Sequence, residues 1–106
     1  MSSVSELELE RATDMAGGPT IRVSGEVDMA TAPQLREVLD AAVDAADGDV
    51  VLDCAELAFL DSSGIGVLVA ARNRLGDRGE LVLDSPPDNV RRVLEITGVA
   101  GHLTLR

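Results

Sequence analysis

The sequence is poor in aromatic residues and has no lysine. Phe59 is the one aromatic among 106 residues, and all 9 basic residues are Arg, against 19 acidic ones. A net charge of −10 repels phosphate backbones, and nucleic-acid bases find no aromatic platform on which to stack. We therefore expect no direct nucleic-acid binding, no attraction to anionic membranes, and a core of Leu, Val, Ile and Ala. Such an acidic chain suits a partner with a basic patch.

Cysteine and histidine are equally scarce. Cys54 stands alone, which rules out an internal disulfide, and a lone Cys in an apolar strand is usually a small buried hydrophobe. His102 is the single histidine. A metal site would need more His or Cys than one of each, and a Ser-His-Asp triad would need this histidine beside Ser62.

The longest apolar run, residues 64–71, is too short to span a bilayer, and the first residues do not form a secretory signal. We expect a cytoplasmic protein that is not an enzyme and holds no cofactor or metal.

The first part of the chain predicts a β-hairpin. Apolar residues alternate with charged or polar ones over residues 6–10 and again over 21–28, the pattern of strands with one wet face. The sequence Gly17-Gly18-Pro19 lies between them and predicts the turn. Further strands are predicted at residues 50–54 and 81–83, with a last extended piece at 103–105.

The clearest helix follows the hairpin. Apolar residues recur at positions 35, 38, 39, 42, 43 and 46, which form one stripe of an amphipathic helix. Thr31 and Gln34 fit a capping box, and Pro33 lies in the first turn, where its missing N–H costs little.

Two more helices are predicted further along. One spans about residues 62–75 and ends at Gly76. The other starts after Ser85, which fits a capping box with Asp88, and Gly98 is its expected C-cap. We expect these apolar residues in the core: Leu35, Val38, Leu39, Val51, Leu52, Leu68, Val90 and Leu94.

The order strand, strand, helix, strand, helix, strand, helix predicts an α/β sandwich, with a mixed sheet of four to five strands and helices packed on it. Loops that follow parallel strands meet at the carboxyl edge of the sheet, where ligands and partners bind. We expect this geometry to bring Asp28, Thr31, Asp61, Ser62 and Asp84 to one edge.

Two segments at this edge carry a resemblance. Gly-Glu-Val-Asp at residues 25–28, followed by Thr-Ala-Pro at 31–33, is similar to one hallmark of the STAS domain family. The decapeptide at residues 59–68, with Asp-Ser-Ser-Gly inside it, resembles the other hallmark, and residues 90–99 resemble the family's C-terminal helix. The sequence is identified as a single STAS domain over residues 1–106, similar to the bacterial anti-sigma factor antagonists within that family.

The resemblance implies a switch operated by phosphorylation. Such antagonists bind an anti-sigma factor that is also a serine kinase, and this frees a sigma factor for transcription. The kinase phosphorylates the Ser that follows the motif Asp, the phosphorylated form lets go, and a PP2C-type phosphatase restores it. On that pattern Ser62 is the phosphorylation site. The partner-binding residues are Asp28, Thr31, Asp61, Ser63 and Gly64.

Each of these features also has a plainer interpretation. Asp61, Ser62 and Ser63 are all good helix N-caps, worth about 1 kcal/mol when they cap, and Asp28 can simply begin a turn. The motif glycines are too few for a nucleotide loop, although nucleotide binding stays open. The alternative function is a constitutive STAS subunit of a larger complex, for example one docking on a transporter ATPase, without control by phosphorylation.

Overall fold

The secondary structure follows the predicted order. The computed structural model describes residues 7–13 and 18–106, so Glu6 and Gly17 of the predicted hairpin lie outside the described residues. The strands are β1 (Leu7–Thr13), β2 (Pro19–Val27), β3 (Val50–Leu60), β4 (Leu81–Asp84) and β5 (Thr104–Leu105). The helices are α1 (Ala32–Ala45), α2 (Ser62–Leu75) and α3 (Asp88–Ile96), with short 3-10 turns at Gly76–Arg78 and Val99–His102. Within the described ranges, no helix is long and apolar enough to cross a membrane.

The strands of the described residues form one mixed sheet in the order β1-β2-β3-β4-β5. β1 and β2 run antiparallel, as predicted for the hairpin, and β3, β4 and β5 each lie parallel to the strand before them. Every parallel step moves one strand further in the same direction. Right-handed crossovers therefore place α1, α2 and α3 on the same face of the sheet. The predicted α/β fold with a mixed sheet is confirmed.

The core lies between this face of the sheet and the helices, and it contains the apolar stripe of α1. Val38 is only half-buried against the core, so its prediction holds in part. Val51 is buried but lies apart from the main cluster, beside its cross-strand neighbour Val82. The other predicted core residues are confirmed as buried: Leu35, Leu39, Leu52, Leu68, Val90 and Leu94.

Both predicted capping boxes are wrong. Thr31 precedes α1 without a side-chain cap hydrogen bond, because its hydroxyl is held by the loop before the helix. Gln34 instead donates its side-chain N–H to a carbonyl of β1, at 3.4 Å. α3 starts after Pro87 and also lacks a side-chain cap, since Ser85 lies further back in the loop. Gly98 was predicted as the C-cap of α3, but the C-cap is Thr97, and Gly98 follows it in a left-handed conformation, φ 79°.

Arg78 closes the C-terminal ends of two helices. Its guanidinium donates to the carbonyl oxygens of Val43 and Ala46 at the end of α1, at 3.0 and 3.2 Å. It also donates to those of Arg74 and Leu75 at the end of α2, at 3.1 and 3.2 Å. Carbonyls of a last helical turn have no partner within their own helix, so one side chain satisfies both ends.

An ion pair also ties α1 to α2. The Arg74 guanidinium donates to both carboxylate oxygens of Asp44, at 2.7 and 2.8 Å. This hydrogen bond lowers the pKa of Asp44 below its usual value. Both side chains are about half exposed, so solvent screening keeps their contribution to stability small.

Candidate functional site

The first turn of α2 presents Ser62 to solvent. Asp61 is the last residue before the helix, and its carboxylate accepts hydrogen bonds from the backbone N–H of Ser63 at 2.8 Å and of Gly64 at 3.3 Å. The N-cap is therefore Asp61, which settles the choice that the sequence left among three residues. Ser62 is the first helical residue and is exposed, and no described residue hydrogen-bonds its hydroxyl.

Gly64 brings the start of α2 down onto the sheet. It is buried, and a Cβ at this position would lie 2.7 Å from Val27 Cγ1 and closer still to Leu60 Cδ1. Only a residue without a side chain allows this approach. Gly64 was predicted as a partner-binding residue, and its place in the structure is under the helix, where it positions Ser62.

The loop between β2 and α1 is folded around Asp28. The Asp28 carboxylate accepts from the backbone N–H of Ala30 at 2.9 Å and of Thr31 at 3.1 Å. The Thr31 hydroxyl accepts from the Asp28 N–H at 2.9 Å and donates to the Glu26 carbonyl, also at 2.9 Å. The turn interpretation of Asp28 is thus present in the structure, and both side chains serve to fix this loop.

The two loops begin side by side. Val27 and Leu60 are the last paired residues of the parallel strands β2 and β3, and Asp61 N–H donates to the Val27 carbonyl at 3.1 Å. Asp28 and Asp61 follow directly, so the structure brings together the predicted residues of both segments. Residues 24–34 and 55–66 contain four acidic side chains, at 26, 28, 56 and 61, and none that is basic.

Asp84, at the end of β4, does not reach this edge where expected. β4 ends at Asp84, which is in register with Asp53 of β3. β3 continues from Asp53 to Leu60, roughly 20 Å further at about 3.3 Å per residue. The expectation that Asp84 shares an edge with Ser62 is therefore wrong, because the strands differ in length.

Two exposed apolar side chains at this edge were missed by the sequence analysis. Met29, at the tip of the β2–α1 loop, is 78% exposed, and Phe59, near the end of β3, is 46% exposed. Phe59 lies in register opposite Glu26. The available signal was the placement of the single aromatic residue inside the motif, where it contributes nothing to the core.

Groups that could perform covalent chemistry lie elsewhere. Burial, together with the neighbouring carboxylates of Asp53 and Asp84, raises the pKa of the Cys54 thiol to about 12. His102 precedes β5, which pairs with Val82 and Leu83 of β4, far from the end of β3. Within residues 7–13 and 18–106, no group of three or more His, Cys, Asp or Glu side chains could hold a metal ion.

The sequence is similar to a STAS family model and to anti-sigma-B factor antagonists. A family model described as "Mlab, STAS domain" matches residues 11–106. An anti-sigma-B factor antagonist of Listeria monocytogenes serovar 1/2a is 37% identical over 99 residues, which cover 92% of this chain and 83% of that protein.

The fold is similar to solved structures of the same kind. An anti-sigma factor antagonist from Mycobacterium paratuberculosis superposes with a TM-score of 0.86 at 29% identity, covering 99% of this chain and 89% of that one. The anti-sigma factor antagonist SpoIIAA in its unphosphorylated form gives a TM-score of 0.72 at 22% identity, covering 93% of this chain and 88% of that one. At 22% identity, the similarity to SpoIIAA supports the fold alone.

Proposed function

Because this chain belongs to the STAS domain family, we propose that it is a cytoplasmic anti-sigma factor antagonist. Its unphosphorylated form binds an anti-sigma factor that is also a serine kinase, and a sigma factor is released. Phosphorylation of Ser62 ends that binding, and a PP2C-type phosphatase reverses it. The protein acts by binding and not by catalysis.

The observation that carries the proposal is the exposed hydroxyl of Ser62, which no described residue hydrogen-bonds, beside a helix cap made by another residue. A kinase needs a hydroxyl that it can reach without unfolding the site. Ser62 meets this requirement, since Asp61 already satisfies the first N–H groups of α2. Ser63 is half-buried and its own N–H belongs to the cap, so we assign the phosphate to Ser62.

Charge explains how the phosphate would act. A phosphoserine adds about −1.5 to −2 charges to an edge that already carries Glu26, Asp28 and Asp61. The two loops offer no basic side chain that could neutralise it. A partner that fits the unmodified edge must then desolvate an unpaired dianion, and mismatched charge at an interface costs several kcal/mol.

A second candidate has its own support. The description of the matching family model names Mlab and not an anti-sigma factor antagonist. On this alternative, the chain is a constitutive STAS subunit that docks on a larger assembly, such as a transporter ATPase, without phosphorylation. The exposed hydroxyl of Ser62 favours the first candidate.

The test uses the serine-kinase anti-sigma factors encoded in the same genome. Each is incubated with the purified chain and ATP, and the phosphate is mapped by mass spectrometry. We expect label on Ser62, none in Ser62→Ala, and full label in Ser63→Ala. In titrations, Ser62→Ala should bind as the unmodified chain does, and Ser62→Asp should bind at least about tenfold more weakly. Phosphate on Ser63 alone, or equal affinity of the Ala and Asp variants, would overturn the switch. Binding without any phosphorylation would favour the constitutive subunit.

A further inference from the structure

Apolar side chains are exposed at the carboxyl edge of the sheet. Among the described residues, the large apolar side chains that stand exposed are Met29 at 78%, Phe59 at 46% and Ile96 at 76%. Met29 and Phe59 lie on the two neighbouring segments that meet beside Ser62. Ile96 lies at the other end of α3, roughly 10 Å along the helix axis from its first turn at about 1.5 Å per residue. Single exposed apolar side chains are ordinary on protein surfaces. What distinguishes Met29 and Phe59 is their place on the two segments that also carry Asp28 and Ser62.

Both side chains are held by a fixed backbone. Met29 lies inside the turn closed by the hydrogen bonds between Asp28, Ala30 and Thr31. Phe59 is paired with β2, and the carbonyl of the preceding residue accepts a hydrogen bond from the Asn89 side chain at 2.9 Å. A surface that is already ordered loses little conformational entropy when a partner binds.

No described residue bonds the carboxylates of Glu26 and Glu56, and Glu26 is the one of the two that lies opposite Phe59. The carboxylates of Asp28 and Asp61 accept backbone N–H groups of their own loops. Glu26 is exposed, lies opposite Phe59 in the sheet, and its carboxylate bonds no described residue. With no basic side chain in residues 24–34 or 55–66, this charge is uncompensated by either segment.

We propose that Glu26, Met29 and Phe59 form the docking surface for the serine kinase, which would offer an apolar pocket flanked by an arginine or lysine. The inference rests on the function proposed above and names the residues that hold the partner while Ser62 is presented to it. The apolar pair supplies the contact area, and Glu26 selects a cationic side chain at its rim.

The experiment is a titration of the unphosphorylated chain against the kinase that labels Ser62. The docking variants are Met29→Gln, Phe59→Ser and Glu26→Gln. Ile96→Gln and Glu95→Gln are matched controls at the far end of α3, where one exposed apolar residue and one exposed acid are adjacent. We expect each apolar docking variant to weaken binding at least about tenfold, and both controls to bind as the unmodified chain does. The loss in Glu26→Gln should be smaller and should shrink as salt is raised.

Folding and function are separated by two further measurements. The first is the thermal midpoint of every variant, which reports any loss of folding. The second is the affinity of Phe59→Leu, which should recover most of what Phe59→Ser loses, because it keeps an apolar side chain on the same strand. At saturating kinase, the docking variants should still be labelled on Ser62. If Met29→Gln and Phe59→Ser bind as tightly as Ile96→Gln, the docking surface is wrong while the antagonist function stands. If no kinase binds the unmodified chain, the proposed function and this surface fail together.

Discussion

Replacing Gly64 by Ala tests whether α2 begins as close to the sheet as the structure places it. The added Cβ would meet Val27 Cγ1 at 2.7 Å and also contact Leu60 Cδ1. These neighbours cannot move freely, because both are buried and their strand ends are joined by the Asp61 N–H to Val27 carbonyl bond. Overpacking of this kind costs about 1–3 kcal/mol, and the better helix propensity of Ala returns at most about 1 kcal/mol. We expect Gly64→Ala to lower the free energy of unfolding by roughly 1–2 kcal/mol.

The same substitution two residues later is the control. A Cβ on Gly66 would meet nothing within 4 Å, and this residue faces solvent in the same helix. Gly66→Ala should therefore raise the free energy of unfolding by about 0.5–1 kcal/mol. Urea denaturation of both variants, with unchanged m-values, measures the two effects. If Gly64→Ala is as stable as the unmodified chain, α2 does not start against Val27 and Leu60, and the argument for the presentation of Ser62 fails with it.

Substitutions at three positions and the chemistry of Cys54 test the fold and the loops. Leu39→Ala removes a completely buried side chain from the α1 stripe and should cost about 2–5 kcal/mol in a denaturant titration. Arg78→Ala should cost about 1–2 kcal/mol, and Arg78→Lys should recover only part, because an ammonium cannot reach the ends of both helices. Asp28→Ala should lower stability by about 1 kcal/mol through lost loop hydrogen bonds, and an unchanged thermal midpoint would contradict the turn role. The Cys54 thiol, whose pKa burial raises from 9.0 to about 12, should resist alkylation at pH 8 until the chain unfolds. Since the folded state keeps that proton, stability should fall as the pH rises from 9.0 toward about 12.

Signals that act within one helix were sufficient to predict the helices. The α1 stripe and the limits of α2 depend on periodicity and on glycine, which act over a few residues. The two predicted capping boxes do not form, because the residues expected to cap the helices are bonded to other groups. The Thr31 hydroxyl is bonded to the loop before it. Ser85 donates its backbone N–H to the carbonyl of Arg106, which follows α3 and β5 in the sequence. The partners of Thr31 lie within five residues but before the four-residue capping box, and only the tertiary fold brings Arg106 near Ser85.

The position of Phe59 shows what strict alternation cannot predict in a strand. Cys54, Leu57 and Leu60 all face the core at intervals of three residues, where a regular strand alternates at intervals of two. The pairing of β2 with β3 shifts register at two places over this stretch, between residues 22 and 24 and between 25 and 26. Each irregularity lets a further Leu turn inward and leaves Phe59 on the outside, opposite Glu26. Such irregularities re-aim side chains next to functional sites. The register shifts therefore accompany the burial of Leu57 and Leu60 in the core and the exposure of Phe59, two residues before Asp61.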